Sequence, residues 1–233
     1  MIDPVAENDA SGAETFLQRL SDLARMELFA IGTRRRYPSG ATLFFEGDPA
    51  HEALVILDGQ IKAVVLATGG REVILDVLGP GSLLGELAAI DAGPRSASAL
   101  ALTQVEVLAV SNGAFDEYLL EHPAVLRDLA VVVVTRLRDS DRRQLEFGTE
   151  DSLGRLCIRI VELAKRYGRT DADGRIQIES PLSQGDLAAW SGLSREAVVK
   201  SMRKLRDLGW IENKGPSITL LQPELIQARA AGI

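Results

Sequence analysis

Glycines divide residues 36–111 into short apolar segments, and this spacing constrains the fold more than any other feature of the sequence. Most of these segments are too short for an ordinary helix, and they are rich in Val, Ile, Leu and Phe, which favours β-strands joined by tight turns. The predicted strands span residues 43–45, 53–57, 61–66, 73–78 and 98–110. Many short strands separated by glycine turns predict a β-roll, or jelly roll, within residues 13–111.

Helical periodicity flanks the predicted roll on its N-terminal side. Residues 1–12 are polar, and we expect them to be disordered. Apolar residues then recur at helical spacing and predict one or two short helices. These residues are Phe16, Leu17, Leu20, Leu23 and Leu28.

A second helical pattern begins after Asn112, the expected N-cap, and runs to about Gly148 as a helix of roughly 35 residues that Pro123 interrupts near its start. Apolar and small residues recur at steps of three and four: Leu126, Ala130, Val133, Leu137, Ser140, Gln144 and Phe147. Such a stripe packs either within its own domain or against a second copy of the chain. Because a small roll offers little surface to cover so long a helix, we expect a dimerisation helix and hinge at residues 112–148, the hinge reaching to Asp151.

The composition excludes several classes of protein. Cys157 is the sole cysteine, so a disulfide framework and an iron–sulfur cluster are excluded. The two histidines, His51 and His122, are too few for the metal site of a cupin enzyme. We therefore expect that the protein is not an enzyme of this kind. No apolar run is long enough to span a membrane and the start does not resemble a signal peptide, so we expect a cytoplasmic protein.

Charge is distributed unevenly along the chain. The formal net charge is −7, but residues 150–233 contain 13 Lys and Arg against 11 Asp and Glu. Within residues 194–214 the balance is six basic residues against three acidic ones. An acidic body with a locally basic segment is typical of a two-domain protein that binds nucleic acid.

The basic segment contains the pattern of a helix-turn-helix. Ser183 and Asp186 form a capping box at the start of a first helix, and Gly192 supplies the turn. Ser194 then caps a second helix that runs to Leu208. Residues 210–220 read as strand, turn and strand, which is typical of a β-wing. We therefore predict a winged helix-turn-helix at residues 149–222, with a C-terminal tail at residues 223–233.

The start of the second helix carries side chains suited to reading bases. Arg195 can bond guanine O6 and N7 together, and Glu196 can accept from cytosine N4. Lys200 lies one turn further along, and Arg203 and Lys204 suit phosphate contacts. The candidate DNA-binding residues are Ser183, Ser194, Arg195, Glu196, Lys200, Arg203 and Lys204.

A second candidate site lies between Gly85 and Ala99. Arg95 offers a fixed fork of donors for phosphate oxygens, and Ser96 and the backbone N–H groups after Gly85 suit the same anion. Glu86 disfavours a phosphate but can accept a hydrogen bond from a sugar hydroxyl. The alternative is a surface loop with an incidental Glu–Arg ion pair.

Both sites resemble one known family. Gly85-Glu86-Leu87 followed by Arg95-Ser96-Ala97 resembles the phosphate-binding cassette of cyclic-nucleotide-binding domains. Ser194-Arg195-Glu196 followed by Lys200 resembles the recognition helix of the catabolite activator branch of the CRP/FNR regulators. The resemblance extends over roughly residues 15–221 in the same domain order. It implies an α+β fold with an N-terminal β-roll, a long dimerisation helix and a C-terminal winged helix-turn-helix.

The resemblance also implies roles for individual residues. Glu86 would bind the ribose 2′-hydroxyl, Arg95 and Ser96 the cyclic phosphate, and Arg136 would pair with Glu86. Ser140 falls where the family has a hydroxyl that contacts adenine, whereas Asp141 falls where it typically has a serine. The expected nucleotide-binding residues are Gly85, Glu86, Leu87, Arg95, Ser96, Ala97, Arg136, Ser140 and Asp141.

The implied function is a homodimeric transcription regulator gated by cyclic AMP, with cyclic GMP as an alternative ligand, that reads palindromic TGTGA-like sites and works with RNA polymerase. Lys200 stands in place of the family's second arginine, and a lysine lacks the bidentate fork. Two alternatives stay open. One is a regulator of the same fold with another effector or none, and the other is a module that regulates a kinase or channel, which would not need a DNA reader.

Overall fold

The computed structural model describes residues 14–179, 181–214 and 217–232. Residues 1–12, for which the sequence predicts disorder, lie outside this part of the chain. The chain forms two compact units, residues 14–137 and residues 138–232 of the described part, and the division falls inside one long helix. No helix in the described ranges has the combination of length and apolar character that crossing a membrane requires.

The N-terminal unit is a β-roll with helices before, within and after it. Its elements are α1 (Phe16–Arg19), α2 (Asp22–Ile31), β1 (Thr33–Tyr37), β2 (Thr42–Phe44), β3 (Glu52–Asp58), β4 (Ile61–Leu66), β5 (Glu72–Leu78), β6 (Leu83–Leu84), α3 (Glu86–Asp91), β7 (Ser98–Ala101), β8 (Val105–Ser111), α4 (Asn112–Glu121) and the first part of α5 (Pro123–Thr149). The strands form two four-stranded antiparallel sheets, in the orders β1-β8-β3-β6 and β2-β7-β4-β5. The predicted roll is confirmed.

The side chains of β3 belong alternately to two hydrophobic cores, which shows how the unit is layered. Leu54 and Ile56 belong to the core between the two sheets, whereas Ala53 and Val55 belong to a second core. Successive side chains of a strand point to opposite faces, so the sheet that contains β3 is covered on both sides. The second core is completed by residues of α1, α2 and α4, such as Phe16 and Phe115.

The structure corrects two strand predictions. The segment predicted as one strand, 98–110, forms the two strands β7 and β8, which belong to different sheets. Strand β1 was not predicted, because its residues alternate poorly between apolar and polar types. It lies at the edge of its sheet and pairs with β8 from Thr33 to Tyr37.

The helical region after the roll also departs from the prediction. The expected helix of roughly 35 residues consists of α4 and α5, because Pro123 lacks the N–H that would continue the hydrogen bonds of α4. The N-cap of α4 is Ser111, not Asn112: the Ser111 side chain accepts from Ala114 N. Asn112 is the first helical residue, and its side-chain amide donates to the Ala50 carbonyl at 3.0 Å.

The C-terminal unit contains the end of α5 followed by a small mixed domain. Its elements are α6 (Ser152–Tyr167), β9 (Gly168–Thr170), β10 (Ile176–Glu179), α7 (Gln184–Ser191), α8 (Arg195–Asp207), β11 (Ile211–Lys214), β12 (Ser217–Leu220) and α9 (Pro223–Ala230). The strands form one antiparallel sheet in the order β11-β12-β10-β9. The wing strands are present as predicted, and their turn lies outside the described residues. The predicted tail contains α9, whose Ile226 is fully buried.

Candidate functional site

Arg95 is buried although it forms no ion pair within the described residues. Only 5% of the residue is exposed. Its Nη2 donates to the Glu52 carbonyl at 2.8 Å, its Nη1 donates to the Gly85 carbonyl at 3.4 Å, and its Nε has no protein partner there. The guanidinium lies 4.1 Å from the centroid of the Phe44 ring. A buried cation held only by carbonyl oxygens and an aromatic face favours the binding of an anion.

Burial also affects the protonation equilibrium of Arg95. Desolvation lowers the pKa of the guanidinium below its usual value, and the negative charges of Glu52, Glu86 and Asp48 oppose this shift. An arginine remains protonated under all ordinary conditions, so the lowered pKa reflects an environment that is unfavourable for the charge. An anionic ligand would reduce that cost.

Gly85 lets the chain pass close to this guanidinium. It lies at the N-cap of α3 in a left-handed conformation with φ of 74°. A Cβ at this position would collide with the Arg95 guanidinium. The glycine of the cassette is therefore required both by its backbone angle and by the space that Arg95 occupies.

Glu86 is the acidic residue of the site and is 2% exposed. Its Oε1 accepts from Arg136 Nη1, which is the pair expected from the sequence. The second terminal nitrogen of Arg136 donates to the Leu83 carbonyl at 2.5 Å. Because Arg136 lies on α5, the pair links the cassette directly to the long helix within the N-terminal unit.

The remaining cassette residues are more accessible. Ser96 is exposed and its hydroxyl has no partner among the described residues, Leu87 is 43% exposed and Ala97 is half-buried. Ser140 and Asp141 are exposed on the part of α5 that belongs to the C-terminal unit. The structure thus brings Gly85, Glu86, Arg95 and Arg136 together, which leaves the roles of Ser140 and Asp141 as predictions.

Phe44 and the Glu52 carbonyl were missed by the sequence analysis. Phe44 precedes Arg95 by 51 positions and lies on β2, and Glu52 lies on β3. Neither residue carries a local pattern that marks it as a contact of the cassette arginine. The folding of β2 and β3 into the two antiparallel sheets brings Phe44 and the Glu52 carbonyl to Arg95.

The helix-turn-helix has the caps and turn that the sequence predicts. Asp186 N donates to Ser183 Oγ at 3.1 Å and Ser183 N donates to Asp186 Oδ2 at 2.9 Å, which completes the capping box. Ala197 N donates to Ser194 Oγ at 3.2 Å at the start of α8. Gly192 forms the turn with φ of 63°. These contacts fix where both helices begin.

Helix α8 has an apolar face and a charged face. The buried face contains Val198, Ser201, Met202 and Leu205. The candidate DNA-binding residues of α8 are all exposed, namely Arg195, Glu196, Lys200, Arg203 and Lys204. Arg203 lies 3.8 Å from the Asp207 carboxylate, but both side chains are largely exposed and an ion pair of this kind is weak. The charged face is therefore available to a nucleic acid.

Comparisons with known proteins match both domains of the chain. Residues 34–122 match the family model of the cyclic nucleotide-binding domain, and residues 154–229 match that of the Crp-like helix-turn-helix domain. The chain is 31% identical over 194 residues to the CRP-like cAMP-activated global transcriptional regulator of Mycobacterium tuberculosis, with 83% of this chain and 86% of that relative covered. The chain belongs to the CRP/FNR superfamily. It is a DNA-binding transcription regulator with a cyclic nucleotide-binding domain, not an enzyme.

The chain is also similar to other known proteins. The chain is 29% identical over 203 residues to the cyclic AMP receptor protein of Thermus thermophilus, covering 86% of this chain and 89% of the relative. The structure of CLP from Xanthomonas campestris, described as a c-di-GMP responsive global regulator, has a TM-score of 0.76 at 24% identity and covers 86% of this chain and 99% of that one. This second similarity concerns the fold alone.

Proposed function

We propose that this regulator is a homodimer whose binding to palindromic, TGTGA-like DNA sites is controlled by cyclic AMP. The observation that carries the proposal is the buried Arg95, which has no carboxylate partner among the described residues, near the buried acceptor Glu86. A cyclic nucleotide presents the matching groups, a phosphate for Arg95 and Ser96 and a ribose hydroxyl for Glu86. The relatives from M. tuberculosis and T. thermophilus are named for cyclic AMP.

Arg136 provides a contact through which ligand binding would affect the long helix. A ribose hydroxyl that donates to Glu86 would share the carboxylate with Arg136, so binding would change the forces on α5 at that point. A ligand controls a conformational equilibrium only through such differences in contact between the two states. The Glu86–Arg136 pair is the contact through which the cassette would act on α5.

The long helix supports the dimer. Several apolar side chains on its predicted seam are exposed in the single chain: Leu126 by 50%, Leu137 by 60% and Phe147 by 54%. A second α5 would cover them, and a two-fold axis would place the two α8 helices about 34–36 Å apart, one turn of DNA. We also propose RNA polymerase as a partner, as for a regulator that acts at promoters.

Calorimetric titration with cyclic AMP and with cyclic GMP tests the ligand. Arg95→Gln keeps a neutral donor but removes the charge, and charge-assisted hydrogen bonds are worth about 1.5–3 kcal/mol each, so we expect affinity to fall by about tenfold or more. Arg71→Gln, in an exposed turn of the same domain, is the matched control and should leave affinity unchanged. Thermal unfolding of each variant reports whether the roll is intact.

Two results would contradict the cyclic-nucleotide proposal. One is an Arg95→Gln protein that binds as tightly as the wild type, which would exclude Arg95 from the site. The other is a wild-type protein that produces no binding heat with either nucleotide, which would favour another effector.

A further inference from the structure

Two residues join the long helix to the DNA-binding domain. Helix α5 ends at Thr149 and α6 begins at Ser152, so Glu150 and Asp151 form the connection. Glu150 N still donates to the Glu146 carbonyl at 3.0 Å, and Asp151 is the N-cap of α6, accepting from Gly154 N at 2.8 Å. The sequence predicts a hinge at this position.

One guanidinium from the C-terminal helix binds both joining residues. Arg229 Nη2 donates to Asp151 Oδ1 at 2.5 Å, and Arg229 Nη1 donates to Glu150 Oε2 at 3.3 Å. The side chains of Arg229 and Glu150 are 23% and 19% exposed, so this part of the contact is largely shielded from water. Helix α9 itself packs against α6 and buries Ile226 completely. The cation is therefore carried by an anchored helix.

Gly154 leaves room for this contact. A Cβ at Gly154 would collide with the Glu150 carboxylate and would lie 2.9 Å from Arg229 Nη1. Gly154 lies in the first turn of α6 in a helical conformation, where a residue with a side chain would have favoured the helix more. The absence of a side chain here is explained by the space that the Glu150–Arg229 pair occupies.

A second, separate group of contacts also joins α5 to α6. Glu146, in the last turns of α5, pairs with Arg159 of α6, and these residues are 8% and 2% exposed. Arg159 also donates to both Glu162 oxygens, at 2.6 and 2.7 Å, and lies 5.5 Å from the Trp190 ring. The end of α5 is thus tied to α6 and to the helix-turn-helix.

We propose that Arg229 of α9 holds Glu150 and Asp151, a contact that we call the clamp. The clamp fixes the direction in which α6 leaves α5, so this connection is not a free hinge. Arg229 is a positioning residue: it acts on DNA binding through Glu150 and Asp151. Removal of the clamp would let α6, with the helices packed on it, leave α5 over a wider range of directions. This proposal concerns the C-terminal unit and holds whatever the effector is.

Amide hydrogen exchange on the full chain tests the clamp without any ligand or DNA. In Arg229→Gln, the amides of residues 150–156 should exchange about fivefold faster or more, while those of α7 and α8 stay as in the wild type. Arg229→Lys keeps the charge without the two-pronged contact and should fall in between. Glu224→Gln, an exposed substitution on α9, is the matched control and should change nothing.

Asp151→Asn separates the ion pair from the helix cap. Asparagine caps helices about as well as aspartate, so this variant loses the charge opposite Arg229 while keeping the cap. It should accelerate exchange at the same amides as Arg229→Gln. Unchanged exchange at residues 150–156 in both variants would overturn the clamp, and so would a uniform acceleration through α6, α7 and α8, which would show a general loss of stability.

A DNA measurement extends the test and rests on the proposed function. Arg229→Gln should weaken binding to a palindromic site several-fold but leave binding to an isolated half-site unchanged, because only the palindrome requires two correctly directed domains. Equal loss on both DNAs would show that Arg229 supports the DNA-binding domain itself and would overturn the positioning role. If the wild type did not distinguish the palindrome from the half-site, the proposed function would fail, while the exchange result would still decide the clamp.

Discussion

At the scale of single residues, the nucleotide cassette departs from the usual rules of protein interiors. A charged side chain is rarely buried without a paired opposite charge, yet Arg95 is 5% exposed and is held by carbonyl oxygens. Gly85 occupies a conformation and a space that no other residue could share with Arg95. Departures of this kind are expected where a protein binds a ligand.

Asp141 determines our prediction for base selectivity. An ionised carboxylate only accepts hydrogen bonds, and guanine offers N1–H and N2–H₂ side by side, whereas adenine offers one amino group beside a repelling N1 lone pair. If Asp141 contacts the base, Asp141→Ser should shift the ratio of the two affinities toward cyclic AMP by several-fold. Titration of both nucleotides into both proteins measures this ratio. Affinities that both stay the same would place Asp141 on a surface that does not meet the base.

Arg195 and Arg203 should respond differently to mutation. Arg195→Ala should cost about 1–3 kcal/mol on the specific site and relax the preference for one guanine, because a bidentate contact to O6 and N7 is lost. Arg203→Ala or Lys204→Ala should weaken binding to all sequences alike and reduce its salt dependence. Binding to a set of single-base variants at several salt concentrations distinguishes these effects. An Arg195→Ala protein with unchanged base preference would reduce Arg195 to a backbone contact.

At the scale of elements, β1 shows that hydrogen bonding to a neighbouring strand can stabilise a strand whose own sequence lacks an alternating apolar pattern. Its residues Arg34 and Arg36 are exposed and lie on one face, where both bind Glu106 of β8, at 3.0 and 2.7 Å. Neighbouring cations on one face would repel one another without this carboxylate. The strand is therefore held by its partner rather than by its own propensity.

Glu106 should make the stability of the roll depend on acid. Hydrogen bonds from Arg36 and then Arg34 lower the pKa of Glu106 below its usual value of 4.5. Its stabilising contribution is therefore complete above the unfolded-state pKa and is lost as the pH falls through the lower folded-state pKa. Melting temperatures of wild type and Glu106→Gln should differ at pH 7 and converge below the usual carboxyl pKa. A difference that persists unchanged in acid would exclude this carboxylate as the cause.

At the scale of the whole molecule, the proposed dimer would cover the exposed apolar side chains of the α5 seam. Leu137 is 60% exposed in the single chain and lies among the apolar and small residues that recur at steps of three and four. In the proposed dimer, a second copy of the same helix would supply a complementary surface by symmetry. Dimerisation would also set the spacing of the two recognition helices.

Leu137→Glu should therefore dissociate the proposed dimer. Loss of two buried leucines at about 1.5–3 kcal/mol each, together with repulsion between two glutamates, should raise the dimer dissociation constant by about 100-fold or more. Sedimentation equilibrium measures this change directly. Leu120→Glu is the matched control, because Leu120 is 81% exposed, lies on α4 and is not among the predicted seam residues, so it should leave assembly unchanged. Equal sedimentation of wild type and Leu137→Glu would contradict the predicted interface.

The sequence by itself determined the features that depend on neighbours along the chain. Glycine turns, strand lengths and the capping box of Ser183 and Asp186 are local in origin, so their patterns predicted the roll and the helix-turn-helix. The candidate cassette was also visible in the sequence, because glycine, carboxylate, arginine and hydroxyl lie within 12 positions of one another. The sequence did not determine where α4 begins, because Ser111 and Asn112 are both residues that cap helices well. The backbone conformation in the folded chain makes Ser111 the N-cap.

Only the tertiary structure decided the contacts between residues that are distant in the chain. Phe44 lies against Arg95, Glu106 holds Arg34, and Arg229 reaches Asp151 across 78 positions. None of these pairs has a periodic signature, because each depends on how whole elements pack and which side chains then meet. Residues 148–151 have the composition of a hinge, and the sequence predicts one there. In the folded chain Arg229 of the C-terminal helix binds this connection, a contact that depends on the packing of α9 and has no signature in the local sequence.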